Sequence, residues 1–234
     1  MIWALILAAG ESRRMGTQKL LLPFGETTIV GAVARTATAS RVDRTLVVLG
    51  ADRDAVRKEL EPPVKAGPAE VLGANGKTAP GPGRGLSPSS DPSDADSVRG
   101  FRKIEFTVND DYRIGMLTSI QAGLRALPAD AEAAVIMLGD QPFLPSRVVD
   151  EIIAAYEAGR HGIVIPTFQG RRGHPVLIDL KYRDEVLALD PCAGLRALMC
   201  GHPADIIEVD VADADILRDL DTPEDYAGRR GADS

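Results

Sequence analysis

Short apolar runs rich in β-branched residues recur along this chain and alternate with amphipathic stretches. Several runs are apolar at every position, which is typical of strands whose two faces are both covered by helices. This alternation predicts a single-domain α/β fold, doubly wound and Rossmann-like, with a mostly parallel sheet. The predicted strands are 2–7, 45–49, 104–108, 133–138, 163–165, 176–178 and 206–211. The predicted helices are 28–39, 52–60, 116–127, 147–158 and 193–200.

One segment, 62–100, breaks this pattern because nearly half of its residues are Pro, Gly or Ser. It contains too few large aliphatic side chains to offset the entropy of ordering, so we expect a disordered loop inserted into the domain. A linker between two domains is the competing interpretation, but residues 1–60 contain too few elements to fold alone. The domain is therefore predicted to span 1–230, with a flexible tail at 227–234.

The net charge of −7 argues against nucleic acid or a membrane surface as a partner, since both are polyanions that bind basic faces. The apolar run that precedes Gly10 is too short to cross a bilayer, and charged residues follow it at once. The two cysteines, Cys192 and Cys200, match no metal or redox spacing. We therefore expect a cytoplasmic protein.

The first predicted strand leads into LAAGESRRMGTQKLLLPFG, a loop of small and basic residues. Small residues at the carboxyl edge of an α/β sheet let backbone N–H groups approach a ligand closely, and nearby cations suit a triphosphate. The spacing differs from both the Walker A loop and the G-x-G-x-x-G fingerprint, and an ordinary solvated turn is the alternative. The loop residues predicted to bind nucleotide are Leu7, Ala8, Ala9, Gly10, Arg13, Arg14 and Lys19.

Asp140 directly follows the predicted strand 133–138 and should lie at the same sheet edge as the basic loop. A carboxylate there is costly to desolvate unless a cation neutralises it, and Mg²⁺ bridging phosphate oxygens does so. The alternative is a cap on the next helix, but Pro142 and Pro145 delay that helix. With no metal bound we expect Asp140 to be uncompensated, so that replacing it with Asn should not lower stability.

A second acidic group occurs in RDLDTPEDY near the end of the chain. Thr222, Pro223 and Asp225 have the spacing of a helix start that resembles a capping box. Asp219 and Asp221 precede that start and are not needed by the cap, which leaves both open as metal ligands.

Five motifs of this chain, taken together and in order, resemble the signatures of the molybdenum cofactor nucleotidyltransferases, especially those that use CTP. The motifs are LAAGxSxRMGxxKLLLPFG, GMLTSIQAGL, GDQP, RGHPV and DLDTPEDY. The resemblance implies that Arg14 holds the β and γ phosphates and that Lys19 lies at the reacting α-phosphate. It implies Mg²⁺ ligation by Asp140 and by Asp221, with Asp219 as the alternative to Asp221.

The same resemblance extends to the base and the acceptor. It places Ser119 near the nucleotide base, although a polar residue in the first turn of a helix is an equal alternative. Ala9, where guanylyl-using relatives have Gly, would narrow the base pocket in favour of a pyrimidine. Arg171 and Arg172 suit the phosphate of a pterin phosphate, and His174 is either a donor there or a structural residue.

The function implied is Mg²⁺-dependent transfer of CMP from CTP to the terminal phosphate of Mo-molybdopterin. An apo-molybdoenzyme of the xanthine dehydrogenase type is then an expected partner. One alternative is the same chemistry on a sugar or polyol phosphate. Another is a non-catalytic module that binds and delivers the cofactor, which the retention of Arg14, Lys19, Asp140 and Asp221 disfavours.

Overall fold

A computed structural model describes residues 1–12, 15–61 and 104–227. The two parts on either side of the predicted insertion, Met1–Glu61 and Phe101–Ser234, belong to one compact unit. The predicted insertion at 62–100, residues 228–234 of the predicted tail 227–234, and Arg13 and Arg14 lie outside the described residues.

Strands and helices alternate along the described chain, close to the predicted bounds. The strands are β1 (Ile2–Ala8), β2 (Pro23–Phe24), β3 (Thr27–Thr28), β4 (Arg44–Leu49), β5 (Ile104–Val108), β6 (Ala133–Leu138), β7 (Ile163–Phe168), β8 (Arg171–Arg172), β9 (Val176–Asp179) and β10 (Ile206–Asp210). The α-helices are α1 (Ile29–Ala39), α2 (Arg53–Leu60), α3 (Met116–Ala126), α4 (Ser146–Gly159), α5 (Arg183–Ala188), α6 (Arg196–Gly201) and α7 (Pro223–Ala227).

The main sheet has the strand order β10-β7-β9-β6-β1-β4-β5, and β8 pairs with β7. Strand β1 is parallel to both β4 and β6, whereas β9 is antiparallel to β6 and β7. The mostly parallel, doubly wound sheet is thus confirmed. The chain moves from β1 outward to β4 and β5 and later returns to β6 on the other side of β1. Loops leaving β1 and β6 therefore diverge and leave a crevice at their carboxyl ends.

Both faces of β1 are buried, which explains its continuous apolar sequence. Ala4 and Ile6 pack into one cluster with side chains of α1 and α4. Trp3 and Leu5, on the opposite face, pack into a second cluster with side chains of α3, α5 and α6. No helix within the described ranges is long and apolar enough to cross a membrane.

After β10 the chain continues as an irregular C-terminal segment, residues 211–227, which ends in α7. Its buried side chains include Ile216 and Leu220, at 0% and 1% exposure. The carbonyl oxygen of Ile216 accepts a hydrogen bond from the backbone N–H of His174 (3.0 Å), and the N–H of Leu220 donates to the carbonyl oxygen of Asp140 (3.1 Å). These contacts hold the C-terminal segment against the end of β6 without making it a strand.

Candidate active site

A cavity of about 550 Å³ opens at the carboxyl ends of β1 and β6. This is the crevice that the strand order creates at the point where the chain reverses direction across the sheet. The volume is within the ordinary range for small-molecule sites. Its described lining residues are Leu7, Ala9, Gly10, Glu11, Ser12, Lys19, Leu20, Tyr112, Arg113, Met116, Ser119, Leu138, Asp140, Asp219 and Asp221.

The loop after β1 is held in shape by its own side chains. The hydroxyl of Ser12 donates to Oε1 of Gln18 (2.8 Å) and accepts from the backbone N–H of Lys19 (3.1 Å). The side-chain amide of Gln18 also donates to Oδ2 of Asp52, beside the start of α2 (3.1 Å). The backbone at Lys19 is therefore positioned by contacts that do not involve its own side chain.

Close packing against the end of β4 determines where Ala9 lies. A Cβ atom at Gly50 would lie 2.6 Å from the carbonyl oxygen of Ala9 and 2.7 Å from its methyl carbon, so only glycine fits there. Ala9 is 4% exposed and lines the cavity together with Leu7 and Gly10, whereas Ala8 is fully buried in the core and does not.

The side chain of Lys19 joins two carboxylates inside the cavity. Its Nζ atom lies 2.7 Å from Oδ2 of Asp140 and 2.7 Å from Oδ1 of Asp221. The three side chains are 12%, 21% and 40% exposed, in the order Lys19, Asp140, Asp221. Burial alone lowers the pKa of Lys19, but the attraction and hydrogen bonds of Asp140, followed by those of Asp221, outweigh it, and the pKa is raised. The ammonium group of Lys19 therefore keeps its positive charge.

Asp140 reaches the cavity from the end of a central strand. The N–H of Gly139 donates to the carbonyl oxygen of Leu7 (3.0 Å), and a Cβ atom at Gly139 would lie 2.7 Å from that oxygen. The chain therefore leaves β6 in close contact with the end of β1, and the next side chain meets Lys19.

Asp221 is delivered by the C-terminal segment rather than by the sheet. The capping box after it is confirmed: the N–H of Asp225 donates to the hydroxyl of Thr222 (3.2 Å), and the N–H of Thr222 donates to Oδ2 of Asp225 (2.8 Å). The same carboxylate oxygen also accepts from the N–H of Asp221 (3.3 Å). The helix start therefore orients the backbone of Asp221.

The expectation that Asp140 is uncompensated without metal is wrong. Lys19 neutralises it at 2.7 Å, although the two residues are 121 positions apart in the chain. Replacing Asp140 with Asn therefore removes an ion pair instead of relieving repulsion. Asp219 also lines the cavity and is more exposed than Asp221.

None of the predicted acceptor residues, Arg171, Arg172 and His174, is among the described residues that line the cavity. Arg171 and Arg172 form the short strand β8 and are exposed, and the guanidinium of Arg172 pairs with Glu208 of β10 (2.6 Å). Burial lowers the pKa of His174, while the charges of Asp140 and Asp219 oppose this shift.

Ser119 lines the cavity and is 4% exposed. Its hydroxyl accepts a hydrogen bond from the side-chain amide of Asn109 (2.9 Å).

Seven of the described lining residues were not predicted as site residues from the sequence, and three of these, Glu11, Tyr112 and Arg113, are joined by hydrogen bonds. The carboxylate of Glu11 accepts from the hydroxyl of Tyr112 (3.1 Å) and from Nε of Arg113 (2.5 Å). These contacts join the loop after β1 to the loop between β5 and α3. The position of Tyr112 and Arg113 directly after a strand that ends at the same sheet edge is the sequence signal that could have identified them.

The described lining carries four carboxylates and two cations, so an anionic ligand requires further positive charge there. Asp140 and Asp221 converge on one ammonium group. Mg²⁺ is typically bound by one or two carboxylates together with phosphate oxygens of the substrate. The donor set therefore fits a divalent cation that arrives with phosphate. Within the described ranges, no group of three or more His, Cys, Asp or Glu side chains is placed to hold a metal ion.

The fold and this cavity define an α/β protein of the nucleotide-binding class, with its site at the switch point of the sheet. Residues 4–88 and 89–206 match the family described as the MobA-like NTP transferase domain, and the chain belongs to this family of nucleotidyltransferases.

Two curated proteins illustrate the range of its relatives. The molybdenum cofactor cytidylyltransferase of Escherichia coli is 29% identical over 119 residues, which cover 50% of this chain and only 58% of that protein. The purine catabolism protein PucB of Bacillus subtilis is 28% identical over 223 residues, which cover 94% of this chain and 91% of PucB.

Solved structures show the same fold. Rv0371c from Mycobacterium tuberculosis superimposes with a TM-score of 0.72 at 25% identity, covering 100% of this chain and 97% of that one. Its complex with manganese superimposes with a TM-score of 0.67 at 22% identity, covering 97% and 96%.

Proposed function

We propose that this protein transfers CMP from CTP to the terminal phosphate of Mo-molybdopterin, in a Mg²⁺-dependent reaction that releases pyrophosphate. The observation that carries the proposal is the meeting of Lys19 with Asp140 and Asp221 in the cavity. The choice of CTP and of the acceptor is supported by the resemblance of the motifs and by the similarity to the cytidylyltransferase.

In this proposal Asp140 and Asp221 hold Mg²⁺, with Asp219 as the alternative to Asp221. When bound, the metal ion neutralises negative charge on the phosphates and on departing pyrophosphate. Lys19 stabilises the charge that develops on the α-phosphate, because it is a partly buried, positively charged donor that lies beside both carboxylates. Arg14, which lies outside the described residues, is proposed to hold the β and γ phosphates, and Arg13 to contact the nucleotide.

The attacking group is a phosphate oxygen of the acceptor. It forms a bond to the α-phosphorus of CTP while the bond from that phosphorus to the bridging oxygen of pyrophosphate breaks. This nucleophile is already anionic at neutral pH, so the step requires no general base. What the chain contributes is positioning and fixed charge.

The cytosine base is proposed to lie beside Ser119, which lines the cavity. For the acceptor, His174 is a proposed contact on the strength of the motif resemblance, although it is not among the described residues that line the cavity. Arg171 and Arg172 remain proposed contacts, but Arg172 must exchange its pairing with Glu208 for a phosphate. An apo-molybdoenzyme of the xanthine dehydrogenase type is the proposed recipient of the product, in the cytoplasm.

The decisive experiment is a turnover panel. Pyrophosphate release is measured with CTP, GTP and ATP, each with and without Mo-molybdopterin, in the presence of Mg²⁺. We expect release with CTP only when the acceptor is present. A preference for GTP over CTP contradicts the cytidylyl assignment.

One observation favours a second candidate, the same transfer to a sugar or polyol phosphate. Because Arg172 is engaged by Glu208 outside the described cavity lining, the proposed pterin-phosphate contacts are not preassembled. Turnover with such acceptors but not with Mo-molybdopterin would establish it. A non-catalytic delivery module predicts cofactor binding without pyrophosphate release from any triphosphate.

A further inference from the structure

Two carboxylates share one ammonium group in the cavity, each 2.7 Å from Nζ of Lys19. We propose that Lys19 is a built-in counter-cation that hinders a free divalent metal ion from occupying Asp140 and Asp221 until a nucleoside triphosphate arrives with it. This inference rests on the proposed function of the cavity. Competition by Lys19 would make the metal ion and the triphosphate bind cooperatively.

The competition follows from charge and from the oxygens involved. A divalent ion at Asp140 and Asp221 must either take the oxygens that Lys19 now occupies or lie beside a positive charge. Repulsion between like charges is poorly screened at partly buried sites, and the side chain of Lys19 is only 12% exposed. The charge of Lys19 therefore lowers the affinity of Asp140 and Asp221 for a free metal ion.

A triphosphate removes this obstacle because it offers Lys19 new partners. The backbone of Lys19 stays anchored by Ser12 (3.1 Å), and its four-carbon stem lets the ammonium group move while the loop keeps its shape. Once Lys19 pairs with phosphate oxygens, its charge no longer opposes a metal ion at the two carboxylates. The phosphates complete the coordination of that ion.

Thermodynamic linkage makes the coupling reciprocal. If the triphosphate raises the affinity for metal by some factor, metal must raise the affinity for triphosphate by the same factor. Removing the charge of Lys19 should abolish most of this coupling and should strengthen metal binding in the absence of nucleotide.

The test is Mn²⁺ binding, followed by electron paramagnetic resonance or calorimetry, without nucleotide. We expect Lys19→Met to bind Mn²⁺ about tenfold or more tightly than the wild type, a factor within the usual range of coupling between sites. Lys19→Gln should also bind Mn²⁺ more tightly. Lys19→Arg keeps the positive charge, so its affinity for Mn²⁺ should remain as low as that of the wild type.

Lys181→Met is the matched control, because Lys181 pairs with Asp205 (2.6 Å) and is not among the described residues that line the cavity. Its Mn²⁺ affinity should equal that of the wild type. Equal affinities of the wild type, Lys19→Met and Lys19→Gln overturn the proposal. Should the neutral variants fail to fold, stoichiometric Mn²⁺ binding to wild-type protein without nucleotide overturns it.

The outcome is separable from that of the proposed function. If Lys19→Met binds Mn²⁺ more tightly but the wild type releases no pyrophosphate from any triphosphate, the competition is real and the proposed reaction is wrong. If pyrophosphate release is normal but the charge of Lys19 has no effect on Mn²⁺ binding, the reaction stands and this inference fails.

Discussion

The two carboxylates that meet Lys19 are supported by very different parts of the molecule. Asp140 follows β6, a strand buried on both faces, and its side chain is 21% exposed. Asp221 belongs to the C-terminal segment, which lies outside the sheet, and its side chain is 40% exposed. An acidic side chain on a rigid, buried element binds a cation at lower cost than one on a segment that must be held in place. We therefore expect function to depend more on Asp140 than on Asp221.

The largest expected effect is that of Asp140→Asn. Turnover should fall by about 10³-fold, because loss of metal-borne charge stabilisation is worth several kcal/mol. The free energy of unfolding should fall by only about 1 kcal/mol, since Lys19 keeps its pairing with Asp221 and a neutral amide can still accept its hydrogen bond. Pyrophosphate release and urea unfolding measure the two effects. Unchanged turnover would contradict the metal assignment.

Asp221→Asn should have a smaller effect, about 10- to 100-fold, expressed mainly as a higher Mg²⁺ concentration for half-maximal turnover. The reason is its greater exposure and its support by hydrogen bonds of a short helix start. Asp219→Asn is the matched variant that decides between the two candidates in this segment. If Asp221→Asn loses as much turnover as Asp140→Asn, a carboxylate at the end of a buried strand holds the metal ion no better than one on the C-terminal segment.

The same difference between regions explains what could be predicted from the sequence. The position of Asp140 follows from the hydrophobic run before it, since a strand buried on both faces must end at a sheet edge. The capping box in the C-terminal segment was also predicted, because its residues are local in sequence. In both cases short stretches of chain carry the whole signal.

Pairings across long stretches of chain were not predictable. Lys19 and Asp140 were predicted to share a sheet edge, but their direct ion pair depends on strand order, which places β1 beside β6, and no local pattern encodes it. The pairing of Arg172 with Glu208 depends on β10 lying next to β7. A sequence pattern identifies charged residues, whereas the topology of the sheet decides which opposite charge each of them meets.

The smallest expected effect is that of Tyr226→Phe, which tests how the C-terminal segment is held. The hydroxyl of Tyr226 donates to the carbonyl oxygen of Pro23 in the β2–β3 hairpin (2.8 Å), five residues after Asp221. Losing this bond should cost about 0.5–1.5 kcal/mol of stability and raise the Mg²⁺ concentration for half-maximal turnover about two- to fivefold. Tyr156→Phe is the control, since it removes a hydroxyl that bonds Asp179 (2.9 Å) outside the described cavity lining. Both variants should lose similar stability, but only Tyr226→Phe should change the Mg²⁺ dependence. If both change it equally, the effect is one of general stability, and the hairpin contact has no separate role in orienting Asp221.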